Sequence, residues 1–118
     1  MEYITLGKTG LKISRLGFGG IPIQRVDAEV TKELVKSMAE KGINYIDTAR
    51  GYTVSETFLG EALEGLRDKF ILATKSMARD KEGMAKDIDI SLSVSTGAPG
   101  APAGVMQRPE TYFYNCIL

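Results

Sequence analysis

Short apolar runs alternate with stretches of helical spacing along this chain. The runs 43–46 (Ile-Asn-Tyr-Ile) and 70–74 (Phe-Ile-Leu-Ala-Thr) are too short for helices and indicate strands buried on both faces. The segment from Leu16 to Gly20 indicates an earlier strand. Because a helical pattern separates each of these strands from the next, we expect a parallel sheet of the α/β class.

The first helical pattern spans Ala28 to Lys41. Asp27 is its predicted N-cap, and Gly42 is predicted to end it in the left-handed conformation that glycine tolerates. Four apolar residues at helical spacing predict a buried stripe: Val30, Leu34, Val35 and Met38.

Two further helices are predicted by the same spacing. Ser55 is expected to cap the second helix, and a third helix is expected to start near Asp80 or Lys81. The apolar face of the second consists of Phe58, Leu59, Ala62, Leu63 and Leu66, and that of the third consists of Met84, Ile88 and Leu92.

The two ends of the chain differ in character. Two β-type runs, Tyr3 to Leu6 and Leu11 to Ser14, flank a glycine-containing turn and predict a hairpin. After Leu92 the periodicity ends, and residues 93–118 hold three of the four prolines but only two charged residues. We therefore divide the chain into residues 1–92 and an unrelated tail, 93–118, that is expected to be disordered or to arise from a reading-frame change.

Composition excludes several classes of function. The 118 residues fit one small domain, and 15 basic side chains balance 15 acidic ones without a basic stripe, so no nucleic-acid partner is expected. No apolar run approaches the ~20 residues of a membrane helix, which favours a cytoplasmic protein without a membrane partner. One cysteine and no histidine leave no Cys-rich metal site and no internal disulfide.

Three residues at the carboxyl ends of the predicted strands form a candidate site. Asp47 closes the first buried run, Lys75 closes the second, and Tyr52 lies in the loop that follows Asp47. In parallel sheets these strand ends lie together at one edge. A lysine ammonium near a tyrosine hydroxyl favours the phenolate and lowers its pKa, and a carboxylate holds the ammonium in place. The three residues together suit proton donation to a carbonyl.

Each residue also has a simpler interpretation when it is taken alone. Asp47 fits a turn, Tyr52 fits an exposed loop aromatic, and Lys75 fits a solvated strand end. Arg50 is either a charge on the rim of the site or a contact for an anionic substrate, and we expect the rim. The catalytic interpretation therefore depends on the three residues as a set.

The run from Asp47 to Leu63, D-T-A-x-G-Y-x-x-S-E-x-x-L-G-x-A-L, resembles the signature of the aldo-keto reductases. The A-T-K of residues 73–75 is similar to the lysine strand of that family, and residues 16–23 are similar to its first strand and loop. Together with Gln24-Arg25 and K-S-x-A-R-D-K-E-G, the signature is most similar to a subgroup whose members often carry a ferredoxin-like iron–sulfur extension. The resemblance covers residues 1 to 92.

This resemblance implies a fold and a chemistry. It implies an incomplete (β/α)₈ TIM barrel, made of the hairpin and about three βα units, because the whole barrel needs roughly 250 residues. It implies reduction of a small-molecule aldehyde or ketone by NADPH or NADH. Tyr52 would be the general acid, Lys75 would lower its pKa and Asp47 would orient Lys75. Gly20 and Ile21, with Asp47, would lie near the nicotinamide. The histidine of the family's catalytic tetrad is missing from this sequence.

Two functions from different classes follow. The first is an NAD(P)H-dependent carbonyl reductase. The second is an inactive fragment, or a half-barrel piece without catalysis that assembles with a complementary half. We expect marginal folding and self-association through the open edge of the strand at residues 70–74, since an unpaired edge invites pairing with another chain.

Overall fold

The fold begins with a hairpin that is separate from the main sheet. The computed structural model describes residues 1–95 and 111–115. Strands β1 (Tyr3–Thr5) and β2 (Lys12–Ser14) pair antiparallel, as the sequence predicts. The turn between them contains Gly7 and Gly10, both at positive φ.

Among the described residues, four parallel strands form the main sheet. They are β3 (Phe18–Gly19), β4 (Tyr45–Asp47), β5 (Ile71–Ser76) and β6 (Thr111–Asn115), in the spatial order β3-β4-β5-β6. Helices α1 (Ala28–Glu40), α2 (Ser55–Ala62) and α3 (Lys81–Ser95) follow β3, β4 and β5. The alternation of parallel strands and helices agrees with the predicted hairpin and three βα units of an incomplete barrel.

Asn44 connects the hairpin to the amino end of β4. Its side-chain oxygen accepts a hydrogen bond of 2.6 Å from the Ser14 amide, and its side-chain nitrogen donates one of 3.0 Å to the carbonyl oxygen of Lys12. The Tyr3 hydroxyl adds a bond of 2.8 Å to the Gly42 carbonyl oxygen. The hairpin therefore lies at the amino ends of the strands and leaves their carboxyl ends clear.

The core lies between the sheet and α1 and α2. Its buried residues are Ile23, Val35, Met38, Ile46, Leu59, Ala62, Leu63, Phe70 and Leu72. Phe58 and Leu66 pack against this core while only partly buried, so the predicted apolar face of α2 is confirmed.

The predicted stripe of α1 is partly wrong. Val35 and Met38 are buried, but Val30 and Leu34 are exposed, and Thr31 takes their place in the core. The Thr31 hydroxyl donates to the Asp27 carbonyl oxygen at 2.9 Å, so the residue is buried with its polar group satisfied. The predicted caps are confirmed: Asp27 Oδ1 accepts from the Val30 amide at 2.9 Å, and Gly42 has a φ of 74°.

The structure differs from the sequence analysis beyond Leu92. Helix α3 continues to Ser95, and β6 pairs with β5 from Leu72 opposite Thr111 to Ser76 opposite Asn115. The edge of β5 that was expected to be open is therefore paired with β6. The aromatic-rich composition of residues 111–115 is typical of strands, and the proline-rich segment before it hid this signal. Residues 96–110 and 116–118 lie outside the described residues, so their predicted disorder is untested.

We expect Leu59→Ala to lower the free energy of unfolding by about 2–5 kcal/mol, because it removes buried atoms and leaves a cavity. Leu34→Ala is the matched control, since it removes the same atoms from α1. Leu59 is 1% exposed and Leu34 is 38% exposed. The control is expected to cost less than about 1 kcal/mol. Urea unfolding followed by circular dichroism measures both, and equal losses would contradict this assignment of the core.

Candidate active site

An ion pair joins the carboxyl ends of β4 and β5. Lys75 Nζ donates to Asp47 Oδ1 at 2.6 Å and to the Thr48 carbonyl oxygen at 2.8 Å. The strand register explains this contact, because Asp47 lies opposite Ala73 and side chains two residues apart on a strand share one face. Lys75 is 9% exposed, so its charge requires these partners.

Tyr52 lies against the same lysine. Lys75 Nζ sits over the Tyr52 ring, 4.9 Å from its centroid, which is within the range of a cation–π interaction. Two backbone bonds shape the loop around Tyr52: its amide donates to the Ala49 carbonyl oxygen at 3.0 Å, and its carbonyl oxygen accepts from the Ser55 amide at 2.8 Å. The structure thus brings Asp47, Tyr52 and Lys75 together, with the lysine ammonium between the carboxylate and the aromatic ring.

Tyr45 is a second tyrosine near this charge pair. It lies two residues before Asp47 on β4, hence on the same face of the sheet. Burial raises the pKa of the Tyr45 phenol above its ordinary value, the Asp47 carboxylate raises it further, and the Lys75 ammonium lowers it. Tyr45 therefore favours its neutral form and is less suited to releasing a proton than an ordinary tyrosine.

The two further residues of the predicted cofactor site differ in exposure. Gly20 is buried: its amide donates to the Asp47 carbonyl oxygen at 2.7 Å, and its carbonyl oxygen accepts from Ser55 Oγ at 3.0 Å. Ile21 is exposed at the start of a 3-10 turn, Ile21–Arg25. Both follow β3 at the carboxyl end of the sheet, where Asp47 lies, because Gly19 is opposite Asp47.

Ser55 does not cap α2 as predicted. The helix begins at Ser55 itself, Val54 occupies the N-cap position, and no side chain of the described residues caps the helix. Ser55 Oγ instead bonds the carbonyl oxygen of Gly20 and lies 2.9 Å from Thr48 Oγ1. The hydroxyl therefore connects the loop after β3 to the loop after β4, a contact that sequence spacing does not reveal.

A second polar cluster lies on the helix side of β5, around Glu56. Its carboxylate pairs with the Arg50 guanidinium and accepts hydrogen bonds of 2.7 Å from Thr74 Oγ1 and 2.7 Å from Ser91 Oγ. Arg50 is partly exposed, and its guanidinium pairs with a buried carboxylate, which the expectation of a rim charge did not include. The available signal was position: Glu56 precedes Leu59 by three residues and Leu63 by seven, which places it on the buried face of α2.

Within residues 1–95 and 111–115, no group of three or more histidine, cysteine, aspartate or glutamate side chains is placed to hold a metal ion. No helix in these residues combines the length and apolar character that crossing a bilayer requires.

Comparison with known proteins identifies relatives of this chain. The sequence profile of the aldo/keto reductase family matches residues 15–96. L-galactose dehydrogenase of Arabidopsis thaliana is 39% identical over 108 residues, which cover 78% of this chain and 34% of that protein. The NADH-specific methylglyoxal reductase of Escherichia coli is 35% identical over 85 residues, which cover 64% of this chain and 26% of that protein.

Solved structures give the same result for the fold. An aldo-keto reductase of Bacillus halodurans, in its holo form, superposes with a TM-score of 0.69 at 33% sequence identity. The match covers 80% of this chain and 36% of that one. This chain thus spans about a third, or less, of the length of the relatives described here.

We expect Gly20→Ala to lower the free energy of unfolding by about 1–3 kcal/mol, because overpacking forces its neighbours apart. An added Cβ would lie 2.9 Å from Ser55 Oγ and 3.1 Å from the Asp47 carbonyl oxygen. Gly19→Ala is the matched control, since a Cβ there meets nothing within 4 Å. Chemical denaturation compares the two, and a loss in the control as large as that of Gly20→Ala would contradict this packing argument.

Proposed function

The chain belongs to the aldo/keto reductase family, and on that premise we propose that its described residues supply the proton-donating side of a carbonyl-reducing site. The substrate class is a small-molecule aldehyde or ketone. The observation that carries this proposal is the position of the Lys75 ammonium, 2.6 Å from Asp47 Oδ1 and over the Tyr52 ring.

Each of the three side chains has one task in this proposal. Tyr52 donates the proton from its hydroxyl to the carbonyl oxygen as hydride adds to the carbonyl carbon. The Lys75 ammonium stabilises the negative charge that remains on the phenol oxygen, since an opposite charge nearby favours the ionised form. Asp47 and the Thr48 carbonyl oxygen hold the ammonium in position. The carbonyl substrate thus gains one hydride at carbon and one proton at oxygen and becomes the alcohol.

NADPH or NADH is the proposed source of the hydride. Gly19 and Ile21 are exposed at the carboxyl end of the sheet, beside Asp47. A Cβ added at Gly19 meets no described atom within 4 Å. These residues and Asp47 suit a contact with the flat nicotinamide ring. Gly20 is buried, and its amide and carbonyl oxygen form hydrogen bonds within the protein. We therefore propose that Gly20 supports the loop after β3 and does not contact the cofactor. The name of one relative, an NADH-specific reductase, supports a nicotinamide.

The finer predictions from the sequence remain proposals. This chain matches about a third, or less, of the length of these relatives, which supports the family and the fold. The activity of a whole reductase is proposed. The resemblance to the subgroup with an iron–sulfur extension and the cytoplasmic location also stay predictions.

We expect the purified chain to oxidise NADPH or NADH with methylglyoxal as the test carbonyl, and Tyr52→Phe to slow this reaction by about 10²–10⁴-fold, the usual range for general-acid catalysis. Tyr45→Phe is the matched control. It removes a hydroxyl from a tyrosine on the same face of the sheet as Asp47 and leaves Tyr52 in place. Loss of nicotinamide absorbance measures all three rates. Equal rates for the parent and Tyr52→Phe would contradict the role of Tyr52.

A half-barrel piece that assembles through its sheet edges is the second candidate. The sheet favours it: among the described strands, β3 and β6 are the outer ones, and an edge strand presents unpaired backbone groups. The proposed pairing edge is not that of β5, because β5 is already paired with β6. The partner is a second copy of this chain, or a complementary half of a barrel.

Sedimentation velocity over a range of concentrations tests this assembly. We expect the sedimentation coefficient to rise with concentration, because edge pairing between chains follows mass action. A monomer at every concentration, with nicotinamide oxidation in the same sample, would contradict assembly with a second copy of this chain and leave the reductase. Association without oxidation would favour it.

A further inference from the structure

Glu56 is a buried carboxylate that the proposed proton transfer does not use. It is 1% exposed and bonds Arg50, Thr74 and Ser91. These partners belong to three different segments: the loop after β4, strand β5 and helix α3. Among the residues that the structure describes, every buried side-chain nitrogen and oxygen has a hydrogen-bond partner, so the cluster is fully satisfied.

Two of these partners are close in sequence to the site. Thr74 immediately precedes Lys75, and Arg50 lies two residues before Tyr52. The Arg50 amide also donates to the Lys75 carbonyl oxygen at 2.9 Å. Arg50 is therefore fixed by its side chain to Glu56 and by its backbone to the strand that carries Lys75, at the start of the loop that carries Tyr52.

Since the loop and the strand share Glu56, we propose that Glu56 is a positioning residue that holds the Tyr52 ring against the Lys75 ammonium. It does so through Arg50 on one side and Thr74 on the other. The importance of this geometry for catalysis rests on the proposed function, but the geometry itself does not. A buried charge that only stabilises the fold is the competing explanation.

The ring current of Tyr52 provides a readout of this geometry. Protons near the face of an aromatic ring shift upfield in the NMR spectrum, and Lys75 Nζ lies 4.9 Å from the Tyr52 centroid. We expect Glu56→Gln to reduce the upfield shift of the Lys75 ε-methylene protons towards the value in Tyr52→Leu, which lacks the ring. A Lys75→Arg sample assigns the resonance.

Two further variants separate positioning from stability. Glu29→Gln makes the same chemical change in an exposed pair, where Glu29 bonds Lys32 at 2.9 Å, and should leave the shift unchanged. Glu56→Gln combined with Arg50→Met removes both charges of the pair, the buried carboxylate and the partly exposed guanidinium, so neither is left unpaired. Replacing both members of a buried pair is often nearly neutral for stability. We expect the double variant to recover stability but not the Lys75 shift.

The outcomes are distinct, even if Glu56→Gln alone fails to fold. A lost shift in the folded double variant supports positioning. A parent-like shift in the double variant overturns it, because restored stability would then restore the geometry. A double variant that does not fold also overturns it, since the pair would serve the fold as a whole. Activity of the parent chain is measured separately, so failure of the proposed function is distinguishable.

Discussion

The burial of the Lys75 ammonium constrains everything at this end of the sheet. A buried charge costs several kcal/mol unless partners compensate it, and Lys75 finds them in Asp47 and the Thr48 carbonyl oxygen. Both partners belong to the end of β4. The pairing of β4 with β5 must therefore keep its register, since a shift of one residue would turn Lys75 away from Asp47. The loop that follows Asp47 is bound to the same point through Thr48.

Alternation along β5 places a second charge on the opposite face. Thr74 bonds Glu56 on the helix side of the sheet, whereas Lys75 bonds Asp47 on the other side. The loop from Thr48 to Val54 contacts both charges. Thr53 in this loop has a φ of 41°, which is unfavourable for a β-branched residue, and its hydroxyl donates to Gln24 Oε1 at 3.1 Å. The surrounding contacts hold Thr53 in a backbone conformation that is unfavourable for a threonine, as is common at functional sites.

The sequence predicted the parts of the site that follow from strand ends. Asp47 and Lys75 close apolar runs, and the geometry of a parallel sheet brings such ends together without further information. It did not predict Glu56, because the burial of a carboxylate depends on its partners, and Thr74 and Ser91 are 18 and 35 residues away. The same limit explains Ser55, whose hydroxyl bonds Gly20 from a distance of 35 residues. Thr31 is a different case, because its hydroxyl is satisfied locally by the carbonyl oxygen of the N-cap residue Asp27.

The contacts given above for the two polar clusters lie within residues 47–91. These contacts join Lys75 to Asp47 and Thr48, and they join Glu56 to the helix that follows β5 through Ser91. The nicotinamide contacts proposed for Ile21 and Asp47 cover only one end of an extended cofactor. If Tyr52 has the proposed role, the contacts that position the proton donor thus come from consecutive βα units.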